Sequence, residues 1–166
     1  IEELFLSDNN IDRITGLDRL KVLRTIDLSK NEIVKLRGLE TIETLRFLNL
    51  SLNKIKKVLQ LRYIEMLPLL TELDMCFNPI MDTKYYRLQV VFHIPQIRLL
   101  DGQEVSPDEK IKAENLHGID KADRETIFKA LLPQETFVDR RIQVFEDIEP
   151  ESEDEESEEF LSHQQS

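Results

Sequence analysis

The chain is poor in the features that most catalytic, membrane and secreted proteins display. It has one cysteine, Cys76, so an intrachain disulfide is impossible. Secreted repeat proteins usually staple their ends with disulfides, so a reducing compartment is expected. No apolar run approaches the roughly 20 residues needed to cross a bilayer, and no membrane contact is expected. Ile1-Glu2-Glu3 has neither the basic nor the apolar stretch of a signal peptide. Ile1 already occupies the first core position of a repeat, so further repeats are expected before it. The four glycines form no phosphate loop. His93, His117 and His163 are far apart, with no Cys or His at ligand spacing. No catalytic site, metal, cofactor or small-molecule substrate is expected.

An excess of basic charge is also missing. Residues 143–166 hold 10 acidic residues and no Lys or Arg, leaving 23 acidic against 22 basic residues in the other 142. The body is nearly neutral, the low pI of 4.8 belongs to the tail, and a nucleic-acid partner is not expected.

What is present is a repeat. Leu4-x-Leu6-x-x-Asn9-x-Ile11, Ile26-x-Leu28-x-x-Asn31-x-Ile33 and Leu48-x-Leu50-x-x-Asn53-x-Ile55 recur at a step of 22 residues. A fourth copy, Leu73-x-Met75-x-x-Asn78-x-Ile80, follows 25 residues later, and Ile97-x-x-Leu100 makes a truncated last strand. The paired leucines alternate as in a short strand with one buried face. Apolar positions spaced by three, such as Leu36, Leu39 and Ile42, suit a 3₁₀-like return segment. The asparagines Asn9, Asn31, Asn53 and Asn78 are placed to bond backbone groups where the chain leaves each strand, forming a ladder. No single repeat can bury its apolar face, so neighbours must stack. The third interval has room for a true helix near Val58–Leu67, stopped before Pro68.

Asn78-Pro79-Ile80, Tyr86-Arg87, Ile94-Pro95-Gln96-Ile97 and Leu99-Leu100-Asp101-Gly102 complete a resemblance spanning about residues 1–116. The chain resembles the intracellular, 22-residue class of leucine-rich-repeat proteins with a C-terminal cap. That class includes a protein phosphatase 1 regulatory subunit, the spliceosomal A-prime protein, acidic nuclear phosphoproteins and axonemal proteins. The resemblance implies an α/β solenoid with a parallel concave sheet, closed by a cap whose helix covers Thr83–His93. Residues 1–102 are expected to form repeats and cap, 103–142 a helical extension, and 143–166 a disordered acidic tail. Within the extension, Ser106-Pro107-Asp108-Glu109 is a capping box opening a helix to about Asn115. A second helix is expected around Asp123–Leu132. In the tail, Ser152 and Ser157 head acidic runs of the kind acidophilic kinases modify.

With the leucines inward, Glu3, Phe5, Thr25, Asp27, Phe47, Asn49, Glu72 and Asp74 face out from the strands, and Leu52 and Phe77 follow them in the turns. Exposed apolar groups rimmed by acids suit a protein partner with an apolar ridge and basic flanks. A second column, Arg13, Lys35 and Lys57, reads as a solvated face. The function implied is a noncatalytic scaffold or adaptor of an intracellular assembly, cytoplasmic and in a ciliary or axonemal setting. The alternatives are a phosphatase-regulatory subunit and a nuclear, acidic-tailed protein associated with histones or ribonucleoprotein.

Overall fold

The computed structural model describes residues 1–117 together with Glu125, Thr126 and Lys129. Four three-residue strands, β1 (Glu3–Phe5), β2 (Thr25–Asp27), β3 (Phe47–Asn49) and β4 (Glu72–Asp74), lie parallel and in register. The 22-residue step brings each strand beside its predecessor, so Leu4, Ile26, Leu48 and Leu73 pair in one row. β5 (Leu99–Leu100) continues the parallel sheet, which is the α/β solenoid of leucine-rich-repeat type.

The inward leucines meet return segments carrying Leu36, Leu39, Ile42, Leu61, Ile64 and Leu67 in a continuous core. Burying one such side chain contributes about 1.5–3 kcal/mol, which offsets the ordering of these short strands. Bonds from residue i+3 to i, such as Leu39 N to Leu36 O and Ile42 N to Leu39 O, wind the return tightly. In the third repeat the winding becomes a 3₁₀ helix over Val58–Tyr63, not the longer helix expected to Leu67. The buried residues Leu61, Ile64 and Leu67 are three apart, which matches three residues per turn better than 3.6.

The cap begins with a 3₁₀ turn, Pro79–Asp82, and continues in α1 (Tyr86–His93). The helix starts three residues later than expected because Tyr85, at φ 57°, is left-handed and cannot extend a helix backwards. β6 (Gln103–Glu104) pairs antiparallel with β5, an element absent from the sequence reading. Asp101 (φ 53°) and Gly102 (φ 74°) are both left-handed, the conformation of a two-residue hairpin turn. The boundary expected after residue 102 thus falls inside a hydrogen-bonded hairpin.

α2 (Pro107–His117) packs on α1. Its capping box is formed: Ser106 N donates to Glu109 Oε2 at 2.9 Å and Glu109 N donates to Ser106 Oγ at 3.2 Å. Of the helix expected at Asp123–Leu132, only Glu125, Thr126 and Lys129 are described. They are helical, with Lys129 donating to Glu125 at 2.7 Å. The acidic tail, Ser152 and Ser157 lie outside the described residues. Among the described residues no helix is long and apolar enough to cross a membrane.

Candidate protein-interaction surface

The asparagines shape the surface from behind. Asn31 Nδ2 donates to Leu28 O in its own repeat and to Leu6 O in the previous one, while its Oδ1 accepts from Ile11 N. Asn53 does the same with Leu50 O, Leu28 O and Ile33 N, and Asn78 with Met75 O, Leu50 O and Ile55 N. The ladder therefore runs through backbone groups of adjacent repeats, not from amide to amide. Asn9 is exposed and donates only within its own repeat, to Leu6 O and Ser7 O.

Sequence reasoning missed a second bridge. Buried Gln60 accepts from Leu36 N through Oε1 at 2.9 Å on the return side. A lone glutamine in an apolar run carries no motif that announces this. Gly38 is the other tight point: at φ 106°, an added Cβ would lie 2.1 Å from the Ile14 carbonyl oxygen.

On the concave face, Asp27, Asn49 and Asp74 each turn Oδ1 back onto the amide two residues on, that of Ser29, Ser51 and Cys76. These polar residues thus hold the strand exits as well as facing outward. Asn49 Oδ1 also accepts from Ser51 Oγ at 2.8 Å. Directly after each exit the chain enters the left-handed region at Asp8, Lys30, Leu52 and Phe77. Asp and Asn tolerate this region, but a leucine or phenylalanine there is strained. Leu52 is 44% exposed and Phe77 75% exposed, so both carry strain without burying their side chains. Phe77 N donates to the sulfur of half-exposed Met81 at 3.2 Å, which joins that residue to the edge.

Phe5 is 63% exposed. Phe47 is half-buried and lies in a different row: it pairs with Thr25 and Glu72, whereas Phe5 pairs with Asp27. Glu3 and Glu72 are exposed; Thr25 and Asn49 are half-buried. The strand residues expected on the concave face are thereby gathered on one sheet, with Leu52 and Phe77 along its exit edge. Arg13 and Lys35 instead line a groove of about 600 Å³ between the first two return segments, among Asp12, Glu32 and Glu40.

Asp74, Cys76 and Asp101 bring one ligand-type atom each within 4.8 Å of one another. Their chemistry is that of a hydrogen-bonded turn. Asp101 Oδ1 accepts from Met75 N at 2.8 Å, and burial pushes its carboxyl above the ordinary range. Burial and the neighbouring Asp74 lift the Cys76 thiol to about 11, which keeps it protonated and a poor ligand. The enclosed Tyr86 hydroxyl faces Asp101, without a hydrogen bond of good geometry, and burial raises its pKa far above the ordinary value. His93, in the cap helix, meets Glu65 at 3.1 Å and so fastens the cap to the third repeat.

A stacked solenoid with an ordered, side-chain-rich concave sheet defines a repeat-based interaction module. A leucine-rich-repeat family model matches residues 2–128, and the chain belongs to that family. It is 40% identical over 113 residues to dynein axonemal assembly factor 11 of Trypanosoma brucei brucei, covering 68% of this chain and 30% of that protein. It is 42% identical over 50 residues to human U2 small nuclear ribonucleoprotein A′, covering 30% of this chain and 20% of that protein. The chain thus spans well under half the length of these curated relatives. The crystal structure of the Drosophila melanogaster SNF/U2A′ complex superimposes with a TM-score of 0.68 at 24% identity, over 77% of this chain and 74% of that one, which shows a shared fold.

Proposed function

We propose that this chain is a noncatalytic adaptor that holds a protein partner on its concave sheet within an intracellular assembly. The observation that carries the reading is the exposed set Phe5, Leu52 and Phe77 around a sheet whose polar residues are locked by backbone bonds. A rigid, pre-ordered face loses little entropy on binding, so its apolar contacts turn into affinity. Leu52 and Phe77 hold a strained conformation that gains the isolated chain no burial, which suits residues kept for contact with another molecule.

The setting we favour is the cytoplasmic assembly of ciliary axonemes. Support comes from the 113-residue likeness to an axonemal assembly factor, more than twice the length matched in U2 A′. The second reading is a nuclear, ribonucleoprotein-associated role, favoured by the higher identity over the shorter stretch and by the shared fold. Proximity labelling from the tagged chain in ciliating cells tests the two. Labelling of cytoplasmic proteins needed for axonemal motors supports the first; nuclear concentration with labelling of spliceosomal proteins overturns it in favour of the second.

A further inference from the structure

The outer edge of the solenoid, where the chain leaves each strand, changes chemistry from repeat to repeat. Lys30 N donates to Ser51 O at 2.9 Å and Leu52 N to Cys76 O at 2.8 Å, so Lys30, Leu52 and Phe77 stand side by side. All three are left-handed, at φ 53°, 57° and 60°. Lys54 N donates to Ile33 O and Ile80 N to Ile55 O, which carries the same register through the turns. Burial alternates along both later turns. Asn53 and Ile55 are buried between exposed Leu52, Lys54 and Lys56, and Asn78 and Ile80 between exposed Phe77, Pro79 and Met81. The corresponding residues of the first repeat are Asp8, Asn10 and Asp12. The edge thus passes from acidic at the first repeat to apolar at the fourth.

The apolar end is one patch. The Met81 sulfur lies 3.2 Å from Phe77 N, and Leu52 stands one repeat from Phe77, a step of about 4.8 Å. Lysines border it: Lys30 beside Leu52, and Lys56 in register with Met81. Lys54 pairs with Glu32, while Lys30 and Lys56 have no ion pair among the described residues. Glu32 and Asp82 are the acids alongside, so positive charge is in excess. That is the opposite sign to Glu3, Asp27, Glu72 and Asp74 on the concave strands. We infer that this edge is a second docking surface, which takes an acidic peptide segment of another protein. Its apolar side chains cover Leu52, Phe77 and Met81, and its carboxylates meet Lys30 and Lys56. Charge decides the occupant, because a basic segment would be repelled by both lysines. Two unpaired lysines are also fewer than the roughly four to eight basic residues that hold a protein on an anionic membrane. The inference rests on the reading of Leu52 and Phe77 as contact residues. It adds a surface apart from the sheet and the sign of the charge that surface selects.

The probe is a phage-displayed library of short random peptides, selected on the full chain and counter-selected on the double variant Leu52→Asn, Phe77→Gly. Asparagine and glycine both accept a left-handed φ, so this variant keeps the fold while losing the apolar patch, and circular dichroism checks it. Peptides that depend on the patch should carry Asp or Glu beside apolar residues. In fluorescence anisotropy at low salt, such a peptide should bind the parent about tenfold more tightly than Lys30→Glu, Lys56→Glu, the combined effect of reversing two charges. Phe5→Ala, Phe47→Ala should leave its affinity unchanged. If no patch-dependent peptide emerges, or those that do are basic or uncharged, the inference is overturned. Equal loss in Phe5→Ala, Phe47→Ala would put the peptide on the sheet, which overturns the edge site and leaves the concave reading standing. A parent that sediments as a dimer, with the patch variant a monomer, would assign the edge to a second copy and overturn it too. The sheet residues are intact in the patch variant, so failure at the edge leaves the concave reading to its own test.

Discussion

Arg87 and Glu109, 22 residues apart, form the ion pair that joins the cap helix to the helix after it. The same guanidinium donates to Leu100 O at 3.0 Å and Glu104 O at 2.9 Å, so one side chain ties α1, β5, β6 and α2 together. Removing it leaves two carbonyls and a carboxylate short of a donor, so Arg87→Ala should cost about 2–3 kcal/mol in urea unfolding. The bond to Arg87 holds the Glu109 carboxyl below its ordinary range. A depressed folded-state pKa adds stability above the unfolded value, and that stability is lost as pH falls through the folded one. Glu109→Gln should therefore be less stable than the parent at neutral pH, with the gap closing below the ordinary glutamate range. A gap that is constant with pH would contradict the pair.

Asn31 should matter far more than Asn9. Asn31→Leu strands backbone groups of two repeats, at about 1–3 kcal/mol per buried group. Asn9→Leu disturbs exposed bonds within one repeat and should stay within about 0.5 kcal/mol. Equal losses for the two in urea would reject the inter-repeat ladder.

Gly38→Ala combines a strained φ with a Cβ that meets a backbone oxygen at 2.1 Å. A carbonyl has no rotamer with which to yield, so the first two repeats must separate. The expected loss is about 2–4 kcal/mol. At Gly16 (φ 77°) the same change meets nothing within 4 Å, and about 1 kcal/mol is expected. Thermal melts of the two variants compare these directly.

Phe77 separates folding from function most cleanly. Glycine relieves a left-handed φ that costs a bulky residue about 1–2 kcal/mol, so Phe77→Gly should fold at least as well as the parent. Binding should weaken, because an exposed aromatic anchor is removed. A clear drop in melting temperature would make Phe77 a structural residue instead.

The solenoid was legible because its determinants recur. Leucine pairs, asparagines and the 22-residue step each depend on side chains whose spacing sets strand register, and β1–β4 fall where those spacings put them. The helices expected over Thr83–His93 and Val58–Leu67 are shorter in the structure because local winding depends on packing against the core: Tyr85 turns left-handed and Val58–Tyr63 tightens to 3₁₀. The hairpin to β6 was signalled by Asp101-Gly102, a turn pair whose strand partner, Gln103-Glu104, has little strand character. On the face itself, outward alternation identified Glu3, Phe5, Asp27 and Phe47. That Phe5 and Phe47 occupy different rows emerges only when register is combined with exposure.

The most direct test of the account is quantitative affinity purification from the same cells with three forms of the chain. These are the parent, the double variant Phe5→Ala, Phe47→Ala, and Lys35→Ala in the groove between the return segments. Circular dichroism first establishes that all three fold. Aromatic anchors commonly contribute at least about 2 kcal/mol, so the parent's principal partner should fall more than about tenfold in the double variant and remain with Lys35→Ala. Retention by the double variant with loss from Lys35→Ala would contradict the account and move the working surface to the return side of the solenoid.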